Sequence, residues 1–312
     1  MSLACVGVWT LDDFVSHRTY SHPAVPIWNR AGELAFFILL AWTAGVLRSA
    51  LEREVREGTE RLEADLLMAR EVQTSLLPPL RLETEQFSVA AECRQIFGVG
   101  GDIFEIQDVG AEGLFVAVAD VSGKGMAAAL LMSSFLASLR LLLPMHTTRF
   151  DTLAGELSER LRTSLETPRF GTAFLAIVQD GWVRYVNAGH NPGFLIAPGA
   201  RSTDVVALHS TGTVLALIPG ARFEAKRVPF PLGSFLVLYT DGLTECANPA
   251  GQELGVENAA AVAAAAAEKP GASPASVVKE LLSAAEVHAA GEPLGDDITV
   301  LCVRRRPEVP KG

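Results

Sequence analysis

Hydrophobic and polar positions follow three patterns in succession along this chain. Over residues 31–47 (AGELAFFILLAWTAGVL) nearly every position is apolar, and the one charge, Glu33, lies near the start. With Ile27 and Trp28 just ahead, the run approaches the roughly 20 residues that cross a bilayer. It also lacks the polar positions at helical spacing that an amphipathic core helix shows. The pattern predicts a membrane helix over 30–48, with a buried core helix as the alternative. Over 47–76 there is no proline, and small or apolar residues stand at 47, 51, 55, 58, 62, 66, 69 and, after Gln73, 76. The steps of 4, 4 and 3 repeat every 11 residues, which gives a nearly straight or slightly right-handed seam. A helical linker is expected over 49–79, ended by Pro78-Pro79. Such a rod either pairs with a second copy or packs on its own domain.

After Pro79 the chain changes to short β-rich runs mixed with amphipathic helices. Strands are predicted over 87–93, 114–121, 172–178, 182–186, 235–239 and 298–303, each bounded by Gly, Asp or Asn. Helices are predicted over 126–143 and over 151–165, where Leu153, Leu157, Leu161 and Leu165 share one stripe. An alanine-rich helix follows over 258–268, and Ser273-Pro274 has the chemistry of another helix start. Strands with helices segregated between them indicate an α+β layered domain over 80–306. It is preceded by a 1–29 extracytoplasmic segment and followed by a 307–312 tail.

With 49% hydrophobic residues among 312, the chain can bury a sizeable core. A formal charge of -10, with no long Lys/Arg run, argues against nucleic acid as the ligand. Arg48, Arg53, Arg56 and Arg61 follow the apolar run while only Arg18 and Arg30 precede it. That bias places the C-terminal side in the cytoplasm and predicts a single-pass inner-membrane protein. The cysteines Cys5, Cys93, Cys246 and Cys302 have neither CxxC nor Cys/His spacing, so no zinc site or disulfide framework is indicated.

Candidate chemistry lies where strands end in glycine-rich turns. Asp102 stands in VGGD, Asp120 in ADVSGKG, Asp241 in YTDG, and Asp296 and Asp297 in GDDIT. One Asp-Gly turn is ordinary, but four such turns are not. Carboxylates gathered from separate segments repel unless a cation neutralises them, and all-oxygen ligation suits Mg²⁺ or Mn²⁺ rather than zinc. Lys124 fails the P-loop pattern and is either a contact for substrate phosphate or a solvated turn lysine. His190, in NAGHNP, reads as a structural loop residue in preference to a ligand or general acid.

The strings VGGDIFE, ADVSGKGMAAAL, FGTAFLAIV, VRYVNAGHNP, FLVLYTDGLTE and GDDITVL, in that order, resemble the SpoIIE/RsbU-type PP2C phosphatase domain over about residues 84–305. AREVQTSLLP is similar to the linker preceding such domains, and WNRAGELAFFILLAWTAGVL to the last membrane helix of bacterial sensor modules. The resemblance implies an α-β-β-α sandwich with two Mn²⁺ or Mg²⁺ ions at one edge. Asp120 would bridge them, and the Val121 carbonyl, Asp102, Asp241 and Asp296 would complete the ligands. Asp297 and Gly101 would support the site, with Lys124 and His190 as further candidates for support or substrate contact. It also implies hydrolysis of phosphoserine or phosphothreonine by a metal-activated water. The substrate would be a regulatory protein, by analogy a STAS-type anti-sigma-factor antagonist. Glu105 stands where the family often has Asp, and a change at the rim of the site is expected from it. The competing class is a membrane-tethered, non-catalytic scaffold, which loss of a metal carboxylate would signal; none is lost.

Overall fold

The computed structural model describes residues 25–96, 98–163 and 170–306 and divides into two units, Met1–Asp65 and Leu66–Gly312. The 1–29 and 307–312 segments of the expected layout thus lie largely or wholly outside the described residues. One helix, α1 (Val25–Leu76), begins in the first unit and ends in the second.

In the first unit, α1 carries an apolar span with Phe36, Ile38, Leu39, Leu40 and Trp42 all more than half exposed. A buried core helix therefore does not describe it. The solvated part begins at Arg48, which pairs with Glu52 at 2.7 Å, and Arg56 pairs with Glu60 at 3.1 Å. Such exposed pairs at i,i+4 add a few tenths of a kcal/mol each, ~0.3–0.5.

The second unit is a sandwich of two antiparallel sheets. The six-stranded sheet comprises β1 (Arg81–Glu83), β2 (Phe87–Arg94), β7 (Gly193–Ile196), β8 (Val206–Leu208), β10 (Phe235–Tyr239) and β11 (Ile298–Arg305), in the spatial order β1-β2-β11-β10-β7-β8. The five-stranded sheet runs β3-β4-β5-β6-β9, from β3 (Ile103–Asp108), β4 (Leu114–Val121), β5 (Gly171–Gln179), β6 (Trp182–Ala188) and β9 (Lys226–Pro229). Helices α2 (Met126–His146) and α3 (Phe150–Thr163) cover the outer face of the five-stranded sheet; α4 (Val256–Glu268) and α5 (Pro274–Ala289) cover that of the six-stranded sheet.

Strand alternation produces this layering. In β4, Phe115, Ala117 and Ala119 pack with α2 and α3, while Leu114, Val116 and Val118 face the other sheet. In β10 and β11, Val237, Tyr239, Val300 and Cys302 pack under α5, while Leu236, Leu238, Leu301 and Val303 enter the middle layer. Because both faces of the central strands are covered, these strands read as continuous apolar runs. α2 is apolar and long enough to cross a membrane, but half of its apolar window is buried as core, so it is a packing helix. It extends past the expected end to His146. α3 ends at Thr163 in the described residues, and the expected Leu165 lies outside them. The sequence reading missed β3 and the short strands β1, β7, β8 and β9.

Candidate metal centre

Within each sheet the antiparallel register sets the aspartates at strand ends, and the two groups meet at one end of the sandwich. Ile103 pairs with Ala119 across β3 and β4, so Asp102, just before β3, comes beside Asp120 near the end of β4. Asp120 in turn pairs with Thr172 of β5. In the other sheet Tyr239 pairs with Val300, which sets Asp241 just beyond β10 next to Asp296 and Asp297 just ahead of β11. Gly242 is required at this junction: a Cβ there would lie 2.1 Å from the Asp297 carbonyl oxygen.

Each carboxylate has a distinct setting. Asp102 is buried and accepts the Thr240 hydroxyl at 2.6 Å, while the Thr240 oxygen accepts the Thr299 amide at 2.9 Å. Burial first, then the charge of Asp120, pushes its pKa well above the usual carboxylate range despite the Thr240 bond. Asp120 is pushed up to about 7 by burial, then by Asp241, Asp296 and Asp297. Burial and Asp296 raise Asp241. Asp297 accepts the Ile96 amide at 2.8 Å, which partly offsets its rise from burial. Lys124 meets Asp296 at 2.9 Å and donates to the Gly295 carbonyl at 2.9 Å. The lysine is still solvated, more than half exposed, and its ammonium sits on the acidic edge.

This donor set fits a hard divalent cation. All the donors are oxygens, their charges are mutually costly, and an ammonium already sits on one of them. Gly101 keeps the approach open: a Cβ there would lie 2.6 Å from the Val121 carbonyl oxygen and 3.1 Å from Asp120 Oδ1. Among the described residues no three Asp, Glu, His or Cys side chains are already closed on one point. Asp296 is drawn to Lys124, so ligation requires this short side chain to turn away from the ammonium.

His190 stands apart from the carboxylates. Its ring is buried, with Nδ1 2.7 Å from Thr172 Oγ1 and Nε2 3.0 Å from the Tyr239 carbonyl. Glu105 corrects an expectation: it is buried in β3, not at the rim of the site. It pairs with Arg140 of α2 at 2.5 Å and accepts the Ile106 amide at 3.0 Å. Ile103 and Glu105 share a strand face, and that face lies under α2.

Four residues escaped sequence reasoning. Thr240 orients Asp102, and Thr172 holds His190. Glu245 adds a carboxylate whose pKa is raised by burial and then Asp241. Gln73, buried on the last turn and a half of α1, donates to the Gly100 carbonyl at 2.7 Å and accepts the Gly100 amide at 3.2 Å. Its one visible signal was the polar interruption of an otherwise apolar stripe.

The profile of the family described as Stage II sporulation protein E (SpoIIE) matches residues 110–306, more than half of the chain. Protein IcfG of Synechocystis sp. is 25% identical over 233 residues, 65% of this chain and 36% of that protein. Phosphoserine phosphatase RsbU of Bacillus subtilis is 26% identical over 190 residues, 60% of this chain and 55% of that protein. The chain thus spans about a third to a half of the length of these curated relatives. The SiaA-PP2C domain of Pseudomonas aeruginosa shares the fold, with a TM-score of 0.68 at 20% identity, covering 79% of this chain and 98% of that domain. By its sheet order, its aspartate-lined edge and the match over 110–306, the chain belongs to the SpoIIE family of PP2C-type protein phosphatases.

Proposed function

We propose that this chain hydrolyses phosphoserine or phosphothreonine on a regulatory protein, with a STAS-type anti-sigma-factor antagonist as the substrate class. The observation that carries the reading is the gathering of Asp102, Asp120, Asp241 and Asp296 from two sheets at one edge, where burial and mutual repulsion raise the pKa of the first three. The phosphoserine specificity is supported by the name and similarity of RsbU.

Asp102, Asp120, Asp241, Asp296 and the Val121 carbonyl would hold two Mn²⁺ or Mg²⁺ ions. When bound, such ions supply an acidified water as nucleophile and neutralise charge on the phosphoryl oxygens. The protein's part is positional. Thr240 fixes Asp102, Asp297 holds the Ile96 amide, and Gly101 leaves room in front of Val121. Lys124 brings positive charge to the edge where a dianionic phosphate would arrive. A lost carboxylate would favour the non-catalytic scaffold, and all of them are present.

The proposed layout is a membrane helix over 30–48, a linker over 49–79 and the catalytic domain over 80–306 on the cytoplasmic side. The exposed apolar span and the arginines after it support this arrangement. Leu47, Leu51, Val55 and Leu62, all exposed on the 11-residue seam, support pairing of two copies through the linker. The test is phosphate release from phosphoserine and phosphotyrosine peptides by the full chain in detergent, with and without Mn²⁺. Mn²⁺-dependent release from phosphoserine alone, lost in Asp120→Asn and Asp241→Asn, is expected. Metal-independent release, or full activity in both variants, would overturn the reading.

A further inference from the structure

His190 lies between the two sheets at the end where the apolar middle layer gives way to the acidic edge. Nε2 faces the Tyr239 carbonyl at 3.0 Å. A carbonyl oxygen only accepts, so Nε2 must carry the proton. In the neutral ring Nδ1 is then bare, and it accepts from the Thr172 hydroxyl at 2.7 Å. One imidazole therefore spans from β5 of the five-stranded sheet to the end of β10 in the six-stranded sheet. Both anchors adjoin site residues: Thr172 is the register partner of Asp120, and Tyr239 precedes Asp241 by two positions.

The loop is built to hold this ring. The His190 amide donates to Asn187 Oδ1 at 2.8 Å, and buried Asn187 donates to the Leu208 and Asn191 carbonyls. Gly189 has φ +66, and a Cβ there would lie 2.5 Å from Val214 Cγ1, so this tight turn needs glycine on both counts. Burial holds the His190 pKa down to about 4, against the Tyr239 carbonyl, so the ring is neutral near pH 7.

We infer that His190 is a positioning residue: a neutral, single-tautomer clamp between the sheets that sets the spacing of Asp120 and Asp241. Among the described residues neither ring nitrogen bonds a carboxylate, and the ring takes no part as a ligand. The inference rests on the metal reading above. Without the clamp the Tyr239 carbonyl is left unpaired in the interior, where such groups are costly, and the half-buried Thr172 hydroxyl loses its partner. The two sheet ends then shift, and the carboxylates lose their relative placement. Loss of a residue that orients ligands typically weakens metal binding by about 10–100-fold.

The test uses the full chain in detergent and reads Mn²⁺ binding by electron paramagnetic resonance for the native chain, His190→Leu and His190→Gln. Leucine keeps the bulk and removes both hydrogen bonds; the glutamine amide offers one donor and one acceptor. Binding about tenfold weaker in the leucine variant, with glutamine within about threefold of native, is expected. ¹⁵N-imidazole resonances of the native chain should show protonated Nε2 and bare Nδ1, unchanged from pH 8 to 5. Native-like Mn²⁺ affinity in a folded leucine variant overturns the clamp alone, as does a protonated Nδ1 in the native chain. A native chain that binds no Mn²⁺ overturns the metal reading and the clamp with it.

Discussion

Replacing Asp120 by asparagine should stabilise the metal-free protein while abolishing its response to metal. Asp120 titrates at about 7 instead of the ordinary 3.8, because burial and then Asp241, Asp296 and Asp297 oppose its charge. The sign follows from linkage. A group whose folded pKa is raised contributes most stability below its unfolded pKa, here below about pH 4. That contribution is lost as pH rises toward 7, and above 7 the charged form carries its full penalty. A displacement of about three pH units sets a ceiling of ~4 kcal/mol. The neighbouring carboxylates share the repulsion, so a gain of ~1–3 kcal/mol at pH 8 is expected for Asp120→Asn. For a domain of this size each kcal/mol moves Tm by roughly 2–4 °C. The assay is thermal unfolding in a chelator at pH 5 and pH 8, then at pH 8 with Mn²⁺. The native chain should lose stability from pH 5 to 8 and recover it with Mn²⁺. The variant should lose less and gain nothing from Mn²⁺. A variant less stable than native at pH 8 without metal would refute the claim that Asp120 is held against repulsion.

Three further outcomes follow from packing. Gly101→Ala should destabilise by ~1–3 kcal/mol and weaken Mn²⁺ binding, because its Cβ would meet the Val121 carbonyl at 2.6 Å; Gly295→Ala, with nothing within 4 Å, should do neither. Calorimetric titration with Mn²⁺ and thermal melts separate the two effects. Gln73→Ala removes both bonds to Gly100, two residues before Asp102, and leaves a buried amide and carbonyl to find new partners. It should cost ~1–3 kcal/mol in denaturant unfolding and weaken Mn²⁺ binding. Leu281→Ala, fully buried under the six-stranded sheet, should cost ~2–5 kcal/mol in the same assay and leave Mn²⁺ affinity unchanged.

How far the sequence could be read depended on how continuous each pattern was. β4, β5, β10 and β11 were legible because both of their faces are buried and they form long apolar runs. β3 was not: IFEIQD carries Glu105, whose charge breaks the apolar alternation and is answered by Arg140, a residue 35 positions away. β1, β7, β8 and β9 have only three or four residues each, too few to show a period. Convergence of the aspartates was suggested by their turns, but their spacing is a matter of register, as in the Ile103–Ala119 and Tyr239–Val300 pairs. Thr240 and Gln73 act through single long-range hydrogen bonds, which leave no periodic trace. The α-β-β-α layering came from resemblance and is carried physically by the three buried layers.

On the reading proposed above, this carboxylate edge holds the metal on which hydrolysis depends. A crystal of the full chain grown with Mn²⁺ and measured at the manganese absorption edge tests it most directly. Two anomalous peaks are expected beside Asp120, with Asp102, Asp241, Asp296 and the Val121 carbonyl around them and Lys124 turned off Asp296. Manganese bound elsewhere, or no peak at this edge at saturating Mn²⁺, would contradict it.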